Sequence, residues 1–534
     1  MEELQGIIHG LFTALLLSLF AFSSASSMHE GHKFPFMTGD IEDVTGRSYD
    51  YIIVGGGASG CPLAATLSKR YSVLLVDRGG SPYGNPLIEE KKNYGFPLIQ
   101  TDNFSSIAQA FVSEEGVSNH RGRVLGGSTT INGGFYSRAR EDYIRRVGWD
   151  AELVRDAYKW VESKIVFQPN PLTPLQSVTA DGMVEAGVRP FNGFSLEHLK
   201  GTKIGGSIFD NHGRRHTSAD LLAAGNSKKI TVLLNATVQN VIFYDGGDGK
   251  KPRAHGIRFI RSNGNPNHFY EAYLSHPKGS RSWGDVILSA GALGSPQILM
   301  LSGIGPQEHL KHFNISTLID AREVGQAMQD NPSITFRLNY SLHALQKPQP
   351  DPPQVVGISK GFRIILQAII LPTSPNTTIT PVVAKIANPA SRGSLRLWST
   401  DPRQNPSVKF NYLAKERDLD ECVEMAHLVE KVAQSRSIER FLGMRQLAIA
   451  KDDMSRDKEL RDFCKKNIRT FYHYHGGCVV GSVVDKDYRV YGVKGLRVID
   501  GSTLLDSPGT NPMATLLMLG RYQGIKMLRK RNIT

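Results

Sequence analysis

Apolar and polar positions fall into a few well-marked blocks. DYIIVGG at 50–56 is an unbroken apolar run closing on glycines, the pattern of a strand buried on both faces. Ala58 to Arg70 follows as a helix and SVLLVD at 72–77 as a second buried strand, so the chain opens with a βαβ unit. A second strand–turn–helix, GDVILSAGALGSPQILMLSGIGP, occupies 284–306. A third closes the sequence, with GLRVID at 495–500 leading to a helix from Pro512 to Arg531. Its last turns hold Lys526, Arg529, Lys530 and Arg531 at the negative end of the helix dipole. Between these units, 255–274 and 380–413 alternate in polarity like antiparallel strands, and KPQPDPPQ at 347–354 reads as a Pro-rich loop. The pattern predicts an α/β protein whose nucleotide domain is assembled from three pieces far apart in sequence.

A chain of 534 residues exceeds one core of usual size, so two domains are expected. Its 53 glycines suit tight strand-to-helix turns. The formal net charge of +13 would attract an acidic surface, and an anionic cell-wall polysaccharide or a membrane surface fits equally well. There is no aromatic-interleaved basic stripe, zinc spacing or recognition helix, so neither nucleic acid nor metal is expected as a partner.

The apolar run Leu11 to Phe22 is too short to span a bilayer but suits the core of a signal peptide, although Glu2 and Glu3 precede it without Lys or Arg. Residues 1–27 are read as that peptide, with cleavage near Ala25, and 28–47 as a polar linker. Six N-x-[ST] sequons support a secretory route to the extracellular space. Asn103, Asn314, Asn339 and Asn376 are the expected glycan sites; Asn235 lies in a strand-like run, and Asn532 is close to the C-terminus. Of four cysteines, Cys422 and Cys464 lie on consecutive helical stretches and could pair in an oxidising compartment, while Cys61 and Cys478 read as buried thiols.

Gly55-Gly56-Gly57-Ala58-Ser59-Gly60 fits G-x-G-x-x-G between a strand and a helix. Such a turn lets a pyrophosphate approach the backbone at a helix N-terminus. Asp77, about twenty residues on at the end of the second strand, stands where an acid binds the adenosine ribose. NAD and FAD remain equally open at this point.

RGRVLGGSTTINGG at 121–134 is a Gly-rich loop able to lie against a flat ring, and it resembles the first signature of the glucose–methanol–choline (GMC) oxidoreductases. GALGSPQ at 291–297 running to Gly305-Pro306 resembles the second. PASRGSLRL at 389–397, a DP…P…NYL run at 401–413, and HYHGG…VIDGS…TNP follow in the family's order. The resemblance covers nearly all of 48–531 and is nearest a plant group containing HOTHEAD and (R)-mandelonitrile lyases. It implies a Rossmann-like FAD-binding domain over 48–165, 220–320 and 466–534. The substrate domain, an antiparallel sheet with helices, would span 166–219 and 321–465.

The resemblance further implies that Gly55, Gly57, Ala58, Ser59, Gly60, Asp77 and Arg78 hold the ADP half of FAD, with Val238 meeting the adenine. Val124, Gly126, Gly127, Ser128 and Asn132 would line the flavin, and Asp500 with Gly501 the ribityl and pyrophosphate. Relatives that bind FAD covalently use a His just before the signature asparagine; here that residue is Ile131, so FAD is expected to be non-covalent.

His473 in HYHGGC matches the family's catalytic base, and His475 reads as packing. The partner position, His or Asn in the family, is Asn511. Independently of the family, Asn511 is a preferred helix N-cap and Pro512 a preferred first helical residue. The positive end of that helix would favour charge developing on a reduced flavin. The expected reaction is oxidation of an alcohol, with His473 taking the hydroxyl proton and oxygen or another molecule as final acceptor. A second reading is a hydroxynitrile lyase, in which the flavin stays redox-silent; Asn511 in place of that group's His disfavours it. A third is an inert flavoprotein, suggested by a shortened 335–385 segment and by Asn331, where the family commonly has His.

Overall fold

The computed structural model describes residues 33–533 apart from 170, 245–250, 276–283, 337, 340–348, 371–377, 380 and 447–455. The chain enters through β1 (Met37–Thr38) and lays down β2 (Tyr51–Val54), α1 (Gly60–Leu67) and β3 (Val73–Val76). It leaves for α2 (Ala151–Ile165), α3 (Pro174–Glu185), β4 (Phe191–Phe194) and β5 (Gly201–Ile204). It returns with β6 (Ile230–Leu233), the meander β7 (Ala236–Tyr244), β8 (Arg253–Arg261) and β9 (Tyr270–Leu274), then β10 (Val286–Leu288) and α4 (Gly291–Leu301). A second excursion builds β11 (Ser333–Thr335), β12 (Val355–Ile358), β13 (Ile364–Ala368), β14 (Val382–Ile386), α5 (Glu416–Ala433) and α6 (Arg456–Asn467). The chain ends with β15 (Leu496–Val498) and α7 (Pro512–Ile533).

Six strands form a parallel sheet in the order β1-β6-β3-β2-β10-β15. Every residue of β2, β3, β10 and β15 is buried, as a sheet covered on both faces requires; the first three are unbroken apolar runs, and Arg497 in β15 is paired with Asp285. Ile53, Leu75 and Ile287 point into a core shared with α1, α2 and α7. Ile52, Val54 and Leu74 point the other way, against the β7-β8-β9 meander and α4. The described part of the 28–47 stretch, from residue 33, departs from its reading as a linker. Met37 and Thr38 pair with β6 at the sheet edge, and Ile41 and Val44 are buried under the meander. An apolar side chain every few residues sufficed to dock a segment whose composition is mostly polar.

The second sheet, β11-β14-β13-β12-β5-β4, is antiparallel except for the β4–β5 pair. Its strands alternate. Ile364, Leu366, Ala368, Val382, Ala384 and Ile386 face α3 and α5. Lys203, Val356, Ile365, Gln367, Val383 and Lys385 occupy the opposite face, toward the nucleotide domain. The shortening suspected between 335 and 385 therefore leaves a six-stranded sheet standing. Cys422 and Cys464 form a disulfide that clamps α5 to α6 behind it, and Cys61 and Cys478 are buried thiols. Of the expected glycan sites, Asn103, Asn314 and Asn339 are exposed, and Asn376 lies outside the described residues.

Candidate functional site

The turn from β2 into α1 leaves no room for side chains where its glycines stand. A Cβ on Gly60 would lie 1.9 Å from the Gly55 carbonyl oxygen, and one on Gly55, with φ of +102°, 2.5 Å from that of Ser289. Gly57 differs: a Cβ there meets nothing nearer than the Gly127 Cα at 3.9 Å. Ala58 is half-buried, and the buried Ser59 donates its hydroxyl to the Leu516 carbonyl on α7. The 121–134 loop closes over this turn through Gly126 N–H to Gly56 O at 2.7 Å. Val124 is buried and bridges Gly80. Asp77, buried at the end of β3, accepts the N–H groups of Gly56 and Gly79, both at 2.8 Å, and burial raises its pKa. Each of its oxygens keeps a lone pair. Val238 is buried near the start of β7, which is tied to Asp77 through Ala236 N–H.

Other residues expected to hold cofactor spend their polar groups on the protein. Arg78 turns its guanidinium to Gln109 Oε1 and the Gly122 carbonyl. Ser128 Oγ accepts Gly122 N–H, while Asn132 Oδ1 takes Gly134 N–H and Arg215 Nη1 and its Nδ2 contacts Met513 Sδ on α7. All four acceptor positions of Asp500 are occupied, by Ser502 N–H and Oγ on one oxygen and Gly291 N–H and Ser295 Oγ on the other. Asp500 therefore shapes the turns at Gly291 and Gly501, and its side chain has no acceptor position left for a ligand. The residues fit FAD on three counts. Gly57 leaves a cradle its side chain would fill, a Cβ on Gly291 (φ +80°) meets nothing within 4 Å, and the buried Arg121 guanidinium has an unpartnered Nη2. Ile131, before Asn132, is buried and offers no nucleophile for a covalent bond.

His473 lies in a loop braced by the buried Asp330. One Asp330 oxygen takes the N–H groups of His473 and Asn331, and the other takes the hydroxyls of Tyr412 and Thr470 and the N–H of Phe471. The brace accompanies a left-handed backbone at Tyr472, with φ of +61°. The imidazole itself is 9% exposed, and burial together with neighbouring Lys385 holds its pKa well below the usual value. Its Nδ1 lies 2.9 Å from Asn331 Oδ1. The Asn331 amide can point only one way, because Nδ2 donates to the Ile386 and Ala387 carbonyls at 2.8 and 2.9 Å. An acceptor thus faces Nδ1, the neutral ring carries its proton there, and Nε2 keeps a free lone pair.

Lys385 Nζ lies 3.2 Å from His473 Nδ1 and donates to Asn331 Oδ1 at 3.3 Å and the Thr510 carbonyl at 3.0 Å, so it ties the His473 loop to the residue before Asn511. α7 begins at Pro512, as expected, but the Asn511 carboxamide oxygen reaches across to Gln367 Nε2 on β13 at 2.9 Å. Asn511 thus joins the two domains, a role beyond the helix cap read from sequence. His475 has both ring nitrogens engaged, on the His473 carbonyl and Gln329 Oε1. An apolar patch of Tyr94, Ile369, Val383 and Phe471 adjoins the site, with the Phe471 ring 4.8 Å from that of His473.

Asn331, Lys385, Gln367 and Asp330 were missed as site residues, Asn331 having been read as a departure from pattern. Two left a signal: a Lys within VVAKI and a Gln within IILQAII are costly in a buried strand unless paired.

Models described as GMC oxidoreductase match residues 49–333 and 389–520. Protein HOTHEAD of Arabidopsis thaliana is 43% identical, covering 91% of this chain and 89% of its own. An (R)-mandelonitrile lyase-like protein of the same plant is 45% identical, covering 90% of each. Sinalpyl alcohol oxidase of Nesocodon mauritianus is 39% identical over 97% of this chain and 95% of its own. Among solved structures, a variant of Aspergillus oryzae formate oxidase superposes with a TM-score of 0.77 at 19% identity, covering 91% of this chain and 99% of its own, a likeness of fold.

Proposed function

The chain belongs to the GMC oxidoreductase family, with FAD as its cofactor, and from that premise we propose that it oxidises an alcohol to a carbonyl compound, with His473 as base. The observation that carries the proposal is the 2.9 Å approach of His473 Nδ1 to Asn331 Oδ1, an atom that can only accept: it calls for the proton on Nδ1 and leaves a buried, neutral Nε2 to accept another. FAD, when bound, supplies the hydride acceptor. Gly55, Gly57, Gly60 and Asp77 would hold its ADP half and the backbone of Gly126, Gly127 and Asn132 its ring, without a covalent bond.

The substrate hydroxyl gives its proton to Nε2 as the carbinol C–H bond weakens. A base so placed contributes roughly 10²–10⁴-fold. Asn511, its oxygen held by Gln367, presents its N–H groups to the same substrate oxygen and stabilises the charge that builds there. The patch of Tyr94, Ile369, Val383 and Phe471 favours an apolar or aromatic alcohol over a sugar. The disulfide supports an oxidising, extracellular setting.

The similarity to a mandelonitrile lyase-like protein keeps cyanohydrin cleavage as the rival reading. One experiment separates them. The purified FAD-loaded protein is mixed anaerobically with benzyl alcohol, cinnamyl alcohol, 1-hexanol or D-glucose while flavin absorbance is followed. Bleaching by an apolar alcohol, abolished in His473→Ala, is the expected result. Cyanide release from mandelonitrile without bleaching by any alcohol would overturn it in favour of the lyase.

A further inference from the structure

We propose that Lys385 is the second proton station of the site, a residue that acts through His473 by taking the Nδ1 proton as Nε2 accepts the proton of the substrate. The inference rests on reading His473 as the base. Its ground is a count of donors and acceptors around a side chain with no solvent exposure.

Nζ of Lys385 has three polar neighbours: the Thr510 carbonyl, Asn331 Oδ1 and His473 Nδ1. The first two accept only, and the third carries a proton. An ammonium group has three donors and no acceptor, so it would set one N–H against another. A neutral amine has two N–H groups and one lone pair, which matches two acceptors and one N–H. Lys203, on the same face of the sheet, is the internal contrast: its Nζ meets Ser137 Oγ and the carbonyls of Ser195 and Glu197, three groups able to accept, as an ammonium requires.

The relay balances. The substrate O–H bond breaks and Nε2–H forms; Nδ1–H breaks and Nζ–H forms. The imidazole ends neutral, with its proton on Nε2, and Lys385 ends as an ammonium. Its three N–H groups then meet the Thr510 carbonyl, Asn331 Oδ1 and the newly bare Nδ1, so every polar neighbour of Nζ is paired in both states, and Asn331 Oδ1 keeps its bond from Nζ as it loses the one from Nδ1–H. The positive charge arises near the Asp330 carboxylate, which favours it. Without the relay, the charge would stay on an imidazolium that burial disfavours.

Burial brings the Lys385 amine down to about 7, with Asp330 opposing. Of the imidazoles facing this corner, burial lowers His475 to about 4 and His198 to about 3, and His473 is lowered as well; Asp330 is pushed up by burial, against its hydrogen bonds from Thr470, Tyr412, His473 and Asn331. Lys203, also near 7, lies farther along the sheet face and has its own acceptors. The sign follows: an amine is needed to accept, so the reaction speeds up as pH rises through about 7.

The test follows flavin reduction by benzyl alcohol, anaerobically, from pH 5.5 to 9.5, in the FAD-loaded wild type, Lys385→Arg and Lys385→Met. Arginine keeps the charge and donors but cannot become a neutral base. Expected is a rate limb near pH 7 in the wild type. In both variants the limb is lost and the rate at pH 8 falls at least tenfold. A variant with the wild-type rate and limb overturns the relay. Lysine titration by [ε-13C]lysine NMR of the FAD-loaded wild type and Lys385→Met needs no turnover: a resonance that titrates near neutrality in the wild type and is missing from the variant is expected, and the absence of any such resonance below pH 9 overturns the proposal. Failure of every alcohol to bleach the wild-type flavin would sink the oxidation reading instead.

Discussion

Replacing Asn331 by Leu removes the group that fixes the His473 proton while nearly conserving volume. Two effects follow from the geometry. The Ile386 and Ala387 carbonyls, now bonded to Nδ2 at 2.8 and 2.9 Å, lose their donor inside the protein, a cost of about 2–6 kcal/mol in stability. The Nδ1–H group loses its 2.9 Å acceptor, and an unpaired buried N–H costs about 1–3 kcal/mol. At about 1.4 kcal/mol per decade, the Nδ1–H tautomer falls by roughly 5- to 150-fold. Lys385, 3.2 Å away, retains part of the bias, so the expected loss in kcat is near the lower end, about tenfold. KM should hold, because Asn331 shapes the base and not the substrate contacts. The assay pairs anaerobic flavin reduction with histidine 15N NMR, in which the two tautomers differ, and with flavin absorbance and melting to show a folded holoprotein. Wild-type kcat in a folded Asn331→Leu protein, or an unchanged Nδ1–H signature, would refute the tautomer argument.

Gly57→Ala and Gly60→Ala should fail differently. The first adds its methyl group to open space at 3.9 Å, so the chain folds and loses affinity for FAD, whereas the second drives it to 1.9 Å from a carbonyl oxygen and disrupts the turn itself; FAD titration beside circular dichroism distinguishes them. Cys422→Ala with Cys464→Ala reopens a loop of 42-residue separation, worth about 4 kcal/mol by chain entropy, read as a lower denaturation midpoint at unchanged flavin content. Gln367→Met frees Asn511 to turn, and flavin reduction should slow about fivefold with FAD still bound, as a positioning hydrogen bond of about 1 kcal/mol implies.

The sequence by itself determined the features that are local in chain distance. Buried strands such as Tyr51–Val54 show as unbroken apolar runs because no polar residue survives between two covered faces. The glycines at 55 and 60 show because a strand turning into a helix at that spacing excludes every side chain. The start of the last helix showed in Asn511-Pro512 through capping chemistry alone. Tertiary structure decided what depends on partners distant in sequence. Asn331, Lys385 and His473 come from three separate segments, and their meaning is a count of donors against acceptors that exists only once β14 and the 470–473 loop are packed together. The polar stretch 33–47 docked on a few apolar contacts that composition averages away, and Asp500 turned inward to four donors that no motif displays. Periodicity reports how a segment meets its own neighbours, while hydrogen-bond saturation in a buried site is settled by whatever the fold brings opposite it.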